Sequence, residues 1–150
     1  MTTIAALPLS VLYEQDETAW LDATAELLRD GRLDRVDTHS LAEYLTDMAK
    51  RDRREVYSRL VVLLAHLLKW EYQPDHRSRS WQGTILEQRR ELRQLLESGT
   101  LHSHAVAVLA DAYADARRQA AVETGLVRGA FPKECGWGVD DVLTDQNEDA

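Results

Sequence analysis

Residues 60–93 constrain the fold more than any other part of the chain. Residues 60–70 are apolar on almost every side of a helix, which is typical of a helix with neighbours on several sides. Residues 71–81 then concentrate aromatic, proline and arginine residues around Pro74. Because proline disfavours helical geometry in the residue before it, we predict a core helix, a turn at Pro74 and a second, charged helix.

The predicted core helix, residues 52–73, carries two apolar seams side by side. One seam consists of Val56, Leu60, Leu63, Leu67 and Trp70. The other consists of Tyr57, Val61, Leu64 and Leu68. Two adjacent seams predict packing on two sides, so we expect this helix at the centre of a bundle.

Capping and stop signals predict two helices before the core helix. The first follows Asp16 as its N-cap and stops at Gly31, which can adopt the left-handed conformation. The second starts at a capping box formed by Ser40 and Glu43. The charged run at residues 50–54 allows either a break or a continuous helix into the core helix.

Two helices are predicted after the turn at Pro74. The first is capped by Ser78 or Ser80 and stops at Gly99, and its inward face is Trp81, Ile85, Gln88, Leu92 and Leu95. A loop with His102 and His104 follows. The last long helix covers about residues 105–124, and its inward face is Val106, Leu109, Tyr113, Ala116 and Ala120.

The predicted fold class is all-α. We expect a single-domain bundle of about five main helices with an irregular C-terminal strap at residues 131–137 and a short terminal helix at residues 139–143. The predicted organisation is a lead-in that is extended at residues 1–14, a helical domain at residues 15–144 and an acidic, frayed tail at residues 145–150.

Composition favours a soluble cytoplasmic protein. The single cysteine excludes an intrachain disulfide, and the first residues lack the basic region of a signal peptide. The longest strongly apolar run, residues 60–68, is shorter than the roughly 20 residues of a membrane span. We therefore expect no membrane contact.

Charge disfavours nucleic acid as a partner, because the net charge is −8 and phosphate binding needs an excess of Lys and Arg. Residues 50–93 nevertheless hold eleven Lys and Arg against six Asp and Glu, whereas the remainder holds seven against twenty. The basic middle is read either as a region covered by acidic flanks or as an anion-facing patch.

The middle of the chain resembles a bacterial family of domains of unknown function, number twenty-nine in that series. The residues that carry this resemblance are Leu67, Leu68, Lys69, Trp70, Tyr72, Gln73, Pro74, Arg77, Ser78, Ser80, Trp81, Ile85, Glu87, Gln88 and Arg89. The resemblance extends over about residues 13–143. The chain departs from the family where Tyr44 follows Glu43 and where Ala49 replaces a glycine. The resemblance implies an all-helical bacterial protein and no established activity.

Three polar residues lie on apolar helix faces and are candidates for a polar core. His66 is read as a buried histidine with one hydrogen bond, or as an acid/base group or metal ligand. Gln88 is expected to meet His66 or Gln73 and to fix the helix register. A ligand site at the same place is the alternative reading.

The basic hairpin is the strongest candidate for binding an anion or a partner. Its residues are Lys69, Arg77, Ser78, Arg79, Ser80 and Arg89. Arg93 lies on the same predicted helix as Arg89. Helix N-termini favour anions and arginine grips phosphate or carboxylate in a bidentate way. Intramolecular ion pairs would give the same sequence pattern.

An aromatic cluster of Trp70, Tyr72 and Trp81 surrounds the turn. These rings are read either as a plug that closes the bundle or as a platform on which a base or ring stacks.

No constellation in the sequence meets the requirements of an active site. We expect neither a cofactor nor a metal, since His76, His102, His104 and Cys135 lack the repeated spacing of metal ligands. The favoured function is a non-enzymatic helical interaction protein that binds a protein or itself. The alternatives are an anion- or nucleic-acid-binding module on the basic hairpin, and an enzyme or metal-binding protein centred on His66.

Overall fold

A computed structural model describes residues 7–144 of the chain. Within that range the regular structure is entirely helical, with six α-helices, three short 3₁₀ turns and no strand. The helices are α1 (Leu9–Gln15), α2 (Glu17–Arg29), α3 (Thr38–Tyr72), α4 (Arg79–Leu95), α5 (Gly99–Thr124) and α6 (Val139–Leu143). The prediction of an all-α fold is confirmed. The predicted tail at residues 145–150 lies outside the described range.

The chain divides into two compact units, Met1–Lys50 and Arg51–Ala150. The boundary falls within α3, which contributes residues to both units. The first unit is built around Trp20, whose ring lies 4.6 Å from that of Tyr13 and 5.6 Å from that of Tyr44, measured between centroids. Three aromatic rings from α1, α2 and α3 therefore form its core.

Local signals at α2 behave as the sequence predicts. The side chain of Asp16 accepts a hydrogen bond from the backbone N–H of Ala19 at 3.1 Å, which caps the helix. Gly31 follows the helix with φ of 71°. The lead-in is helical at Leu9–Gln15 rather than extended, so this part of the prediction is wrong, and Leu12 is buried. Residues 1–6 of the predicted lead-in lie outside the described range.

The start of α3 corrects the predicted capping box. Asp37, not Ser40, is the cap: its carboxylate accepts from the backbone N–H of Ser40 at 3.2 Å and from the Ser40 hydroxyl at 2.6 Å. The helix therefore begins at Thr38. A carboxylate at this position also interacts favourably with the helix dipole, which explains why it prevails over the serine three residues later.

Replacing Asp37 with alanine is expected to lower the free energy of unfolding by about 1 kcal/mol at neutral pH, because the first turn of α3 loses its cap. The hydrogen bonds from Ser40 hold the pKa of Asp37 below its usual value. The contribution is therefore present at neutral pH and lost in acid as the carboxylate is protonated. Urea unfolding measures the change, with Asp34→Ala, an exposed neighbour, as the matched control. Equal effects of the two substitutions would contradict the assignment.

The charged run at residues 50–54 lies within α3. Of the two predicted alternatives, a continuous helix is therefore correct and a break in the helix is wrong. No glycine or proline interrupts residues 38–72, and the 35-residue helix ends just before Gln73 and Pro74, as predicted. In the second unit both apolar seams of α3 pack into the core. Its fully buried members are Val56, Leu60, Leu63, Leu64 and Leu68.

The start of α5 differs from the prediction. Ser98 caps the helix by accepting from the N–H of Leu101 at 3.3 Å, so Gly99 begins α5 instead of ending α4. His102 and His104 consequently lie in the helix and not in a loop. The prediction that Val106 faces inward is wrong, since it is 58% exposed.

The remaining inward positions of α5 agree with the prediction in part. Tyr113, Ala116 and Ala120 are buried, and Leu109 packs against the core. Ala105 and Ala112 are buried as well, which gives α5 a face of small residues. The helix ends at Gly125, whose φ of 75° is the left-handed conformation expected of a C-terminal glycine.

Candidate functional site

A cleft of about 430 Å³ opens in the second unit between the C-terminal end of α3, α4 and α6, within the size range of known ligand sites. We call it the aromatic–arginine cleft. It is lined by Leu67, Trp70, Glu71, Arg77, Arg89, Trp137, Asp141, Val142 and Thr144. Two tryptophans, two arginines and two carboxylates therefore face one opening.

The turn after α3 positions Arg77 at the cleft. Pro74 starts a short 3₁₀ turn, Pro74–His76, and the chain doubles back so that Nε of Arg77 donates to the carbonyl oxygen of Trp70 at 2.8 Å. The last carbonyls of a helix have no partner within the helix, which makes this acceptor available. The Arg77 guanidinium also lies over the Trp70 ring, 5.0 Å from its centroid.

The opposite wall of the cleft comes from the C-terminal strap, residues 131–137, and from α6. Side chains of α5 hold the strap: the Tyr113 hydroxyl donates to the carbonyl of Pro132 at 2.6 Å, and Nε of Arg117 donates to that of Phe131 at 3.3 Å. Phe131 is buried in the core beneath. These bonds place Trp137 at the edge of the cleft.

Two arginines of α4 fasten α6. Nε of Arg89 donates to the carbonyl of Val142 at 2.9 Å, and Arg93 donates to the carbonyl of Leu143. Both acceptors lie at the C-terminal end of α6, where carbonyls lack helical partners and cations are favoured. Arg89 and Arg93 thus donate to backbone carbonyls of α6.

Two residues of the predicted anion site have partners within the protein. Lys69 is only 6% exposed, and its Nζ forms an ion pair with Glu123 of α5 at 2.6 Å. Its ammonium also lies 5.3 Å from the centroid of the Trp81 ring. Arg89 is 8% exposed and bonded to α6. Intramolecular pairing, one of the two readings of the basic hairpin, describes these two side chains.

The other residues of the predicted anion site are exposed. Ser78 is the N-cap of α4, and its hydroxyl accepts from the backbone N–H of Trp81 at 3.2 Å. Arg79 and Ser80 form the first turn of α4 and do not line the aromatic–arginine cleft. Arg77 is the one exposed member that does.

The polar core residues have separate partners. His66 is half-buried, and its Nδ1 lies 2.8 Å from the carbonyl oxygen of Val62, so this nitrogen carries the donated proton. Burial lowers the pKa of His66 and favours the neutral ring. Gln88 accepts from Arg59 at 3.2 Å and not from His66 or Gln73, which are the partners that the sequence suggested. Gln73 follows α3 and is partly buried.

The three predicted aromatic residues also have separate partners. Trp70 stacks with Arg77, Trp81 lies beside Lys69, and the Tyr72 ring packs edge-on against that of Phe131 with a centroid distance of 5.6 Å. A smaller cleft of about 170 Å³ lies on the Tyr72 side, and it shares two residues with the larger one. Those shared residues are Glu71 and Trp137.

A polar contact away from the cleft joins α3 to α5. The Tyr57 hydroxyl donates to Asp115, which also accepts from Arg118. The hydrogen bond to Asp115 is the main reason that the pKa of Tyr57 rises to about 12. The same bond, followed by that from Arg118, lowers the pKa of Asp115.

Replacing Tyr57 with phenylalanine is expected to cost about 1 kcal/mol of unfolding free energy at neutral pH, the usual contribution of one hydrogen bond. Because Asp115 has a lower pKa in the folded state, its contribution exists at neutral pH and is lost as the pH falls through that lowered pKa. The difference between wild type and variant is therefore expected to shrink in acid. Urea unfolding from neutral pH into acid tests this, and a constant difference would contradict it.

Neither a metal centre nor a membrane span is found in the part of the chain that the structure describes. Residues 7–144 contain no group of three or more His, Cys, Asp or Glu side chains placed to hold a metal ion. Among the same residues, no helix combines the length and the apolar character that crossing a bilayer requires. Cys135 is half-buried, its thiol donates to the carbonyl of Trp137 at 3.3 Å, and burial raises its pKa.

The fold and the cleft together define an all-helical protein with an aromatic- and arginine-lined cleft in its second unit. The chain belongs to the DUF29 family, described as a domain of unknown function, whose family model matches residues 12–147. The resemblance deduced from the middle of the chain is thereby confirmed. No curated protein and no solved structure matches the chain. The molecular function of the family is unknown, so any function must be argued from the site.

Proposed function

We propose that this protein is a non-enzymatic interaction protein that receives a segment of a partner protein in the aromatic–arginine cleft. The observation that supports this is the convergence of Trp70, Trp137 and Arg77 on one open cleft. Tryptophan and arginine are the residue types that most often dominate the free energy of protein–protein binding. They are also enriched at such interfaces relative to the rest of a protein surface.

The charges around the cleft favour a protein over a nucleic acid. Glu71 and Asp141 line it together with Arg77 and Arg89, so the formal charges cancel. Lys69, which the nucleic-acid reading also requires, is buried against Glu123. Binding to phosphates depends on an excess of exposed Lys and Arg, and this cleft offers none.

The partner is either another protein or a second copy of this chain, and we place the protein in the bacterial cytoplasm. The single cysteine and the half-buried state of its thiol accord with a reducing compartment. Self-association uses the same cleft in this proposal. The experiment below separates a foreign partner from a second copy by the mass of the captured chain.

Site-specific photocrosslinking in the native host tests the proposal. A benzophenone amino acid replaces Thr144, which is exposed and lines the cleft, and in a control protein it replaces Ser103, which is exposed on α5. We expect a defined crosslinked partner from the first position and not from the second. Mass spectrometry of the crosslinked product identifies the captured chain.

A second substitution shows whether the capture depends on the cleft. Arg77→Glu is expected to abolish the crosslink from position 144, because it reverses the charge that faces the cleft. Arg79→Glu, a neighbouring exposed arginine outside the cleft, is the matched control and is expected to retain it. Identical products from both reporter positions, or a crosslink that survives Arg77→Glu, would contradict the proposal.

A further inference from the structure

The charged groups that line the aromatic–arginine cleft differ in whether their charged atoms already have partners within the protein. Arg89 is buried and donates to Val142, and Asp141 accepts the backbone N–H of Gly138 at 2.7 Å. Both of these side chains stabilise the structure around the cleft through hydrogen bonds within the protein. A ligand therefore meets mainly the remaining two charges, which belong to Arg77 and Glu71.

Two contacts with Trp70 orient Arg77 at the cleft. Its bond from Nε to the Trp70 carbonyl and its contact with the Trp70 ring fix the plane of the guanidinium. Within residues 7–144 its terminal nitrogens form no ion pair within 4.0 Å, and the residue is exposed. A fixed guanidinium edge recognises a carboxylate through two parallel hydrogen bonds.

Glu71 offers the opposite charge one residue beyond Trp70. It is exposed, and within the described residues its carboxylate takes part in no hydrogen bond or ion pair. Glu71 lines both the larger and the smaller cleft, so a ligand in either cleft would lie beside this carboxylate. An acceptor of this kind binds an ammonium or guanidinium group.

Trp137 supplies an apolar surface in the same cleft. It is partly buried, and it too lines both clefts. Its indole offers a flat apolar surface on which an aliphatic or aromatic side chain can be buried. Leu67 extends the apolar lining on the α3 side.

We propose that the partner segment is a mixed-charge peptide: an acidic side chain pairs with Arg77, a basic side chain pairs with Glu71, and an apolar side chain packs on Trp137. This inference rests on the proposed function and specifies the chemistry of the partner. A purely acidic or phosphorylated segment would meet the repulsion of Glu71 and Asp141, and a purely basic one that of Arg77.

Selection from a phage-displayed library of random peptides, with the full chain as bait, tests this chemistry. We expect the enriched sequences to combine an acidic, a basic and an apolar position. The double variant Glu71→Lys with Arg77→Glu is expected to select peptides in which the acidic and basic positions have changed places. Arg79→Glu, the control outside the cleft, is expected to select the same sequences as the wild type.

Affinity measurements on one selected peptide complete the test. Arg77→Glu is expected to weaken binding about tenfold or more, and a peptide with lysine at its acidic position is expected to recover the loss. Enrichment of peptides with charges of one sign, or unchanged sequences with the double variant, would overturn this inference alone. If no peptide is enriched above the level obtained with Trp137→Ala, the proposed function fails as well.

Discussion

Replacement of Glu123 by alanine is expected to lower the free energy of unfolding by about 2 kcal/mol at neutral pH. The substitution removes the partner of Lys69, whose ammonium is buried and only 2.6 Å from the Glu123 carboxylate. Removing one member of a buried pair leaves the other charge uncompensated. The side chain of Glu123 is 40% exposed, so water can reach part of the vacated space, and the expected loss is below that of a fully buried pair.

Equilibrium urea unfolding measures this loss. Glu87→Ala, which truncates an exposed glutamate on α4, is the matched control and is expected to change stability by less than about 0.5 kcal/mol. Lys69→Met removes the buried charge itself, so it is expected to cost less than Glu123→Ala. A Glu123→Ala variant as stable as the control would contradict the structural role of the pair.

The same pair predicts sensitivity to acid. Burial by itself would raise the pKa of Glu123, but hydrogen bonds from Lys69 and Gln119 outweigh it, and the pKa lies below its usual value. The contribution of a carboxylate with a lowered folded-state pKa is present at neutral pH and lost as the pH falls through that pKa. The stability of the wild type and that of Glu123→Ala are therefore expected to converge in acid.

Replacement of Arg89 by alanine is also expected to cost about 2 kcal/mol, because hydrogen bonds from charged donors contribute more than neutral ones. The substitution removes a buried side chain that donates to the carbonyl of Val142 and packs between α4 and α6. It leaves that carbonyl without its arginine donor. Since Val142 lines the aromatic–arginine cleft, the cleft is expected to lose its wall at α6.

Hydrogen exchange localises this effect. Amides of residues 139–143 are expected to exchange faster in Arg89→Ala, while those in the middle of α3 change only as far as global stability does. Arg90→Ala is the matched control, since the side chain of Arg90 is 72% exposed and points away from this contact to Glu91. Unchanged amide exchange rates in α6 would show that Arg89 does not stabilise this helix.

Helices whose signals are local could be predicted from the sequence. Asp16, Ser78 and Gly125 act where the sequence places them, since capping depends only on residues within one turn. The start of α3 differs from the prediction because two capping residues, Asp37 and Ser40, lie three positions apart and compete. The local sequence contains both capping signals and does not show which of them begins the helix.

The inward face of α5 shows a different limit. Val106 is the larger apolar residue, but Ala105 is buried instead. Apolar periodicity favours the valine, whereas close approach of a neighbouring helix requires the smaller side chain. The choice between these adjacent positions depends on packing between elements and not on the helix itself.

The candidate site could be predicted only in part. Arg77 and Trp70 lie at the turn that the sequence singles out, and both line the cleft. Lys69 and Arg89 belong to the same predicted site, but their partners come from α5 and α6, more than fifty residues away in sequence. Trp137 lies in the predicted strap, but its position beside α3 depends on how the strap folds back, which local sequence does not determine.

Fluorine NMR on protein labelled with 5-fluorotryptophan tests the central claim, that the partner segment binds in the aromatic–arginine cleft, most directly. The chain has four tryptophans, of which Trp70 and Trp137 line the cleft and Trp20 and Trp81 do not. Upon addition of a selected mixed-charge peptide, we expect the resonances of Trp70 and Trp137 to shift and those of Trp20 and Trp81 to stay. A response confined to Trp20 or Trp81, or no response from Trp137 at saturating peptide, would contradict the claim.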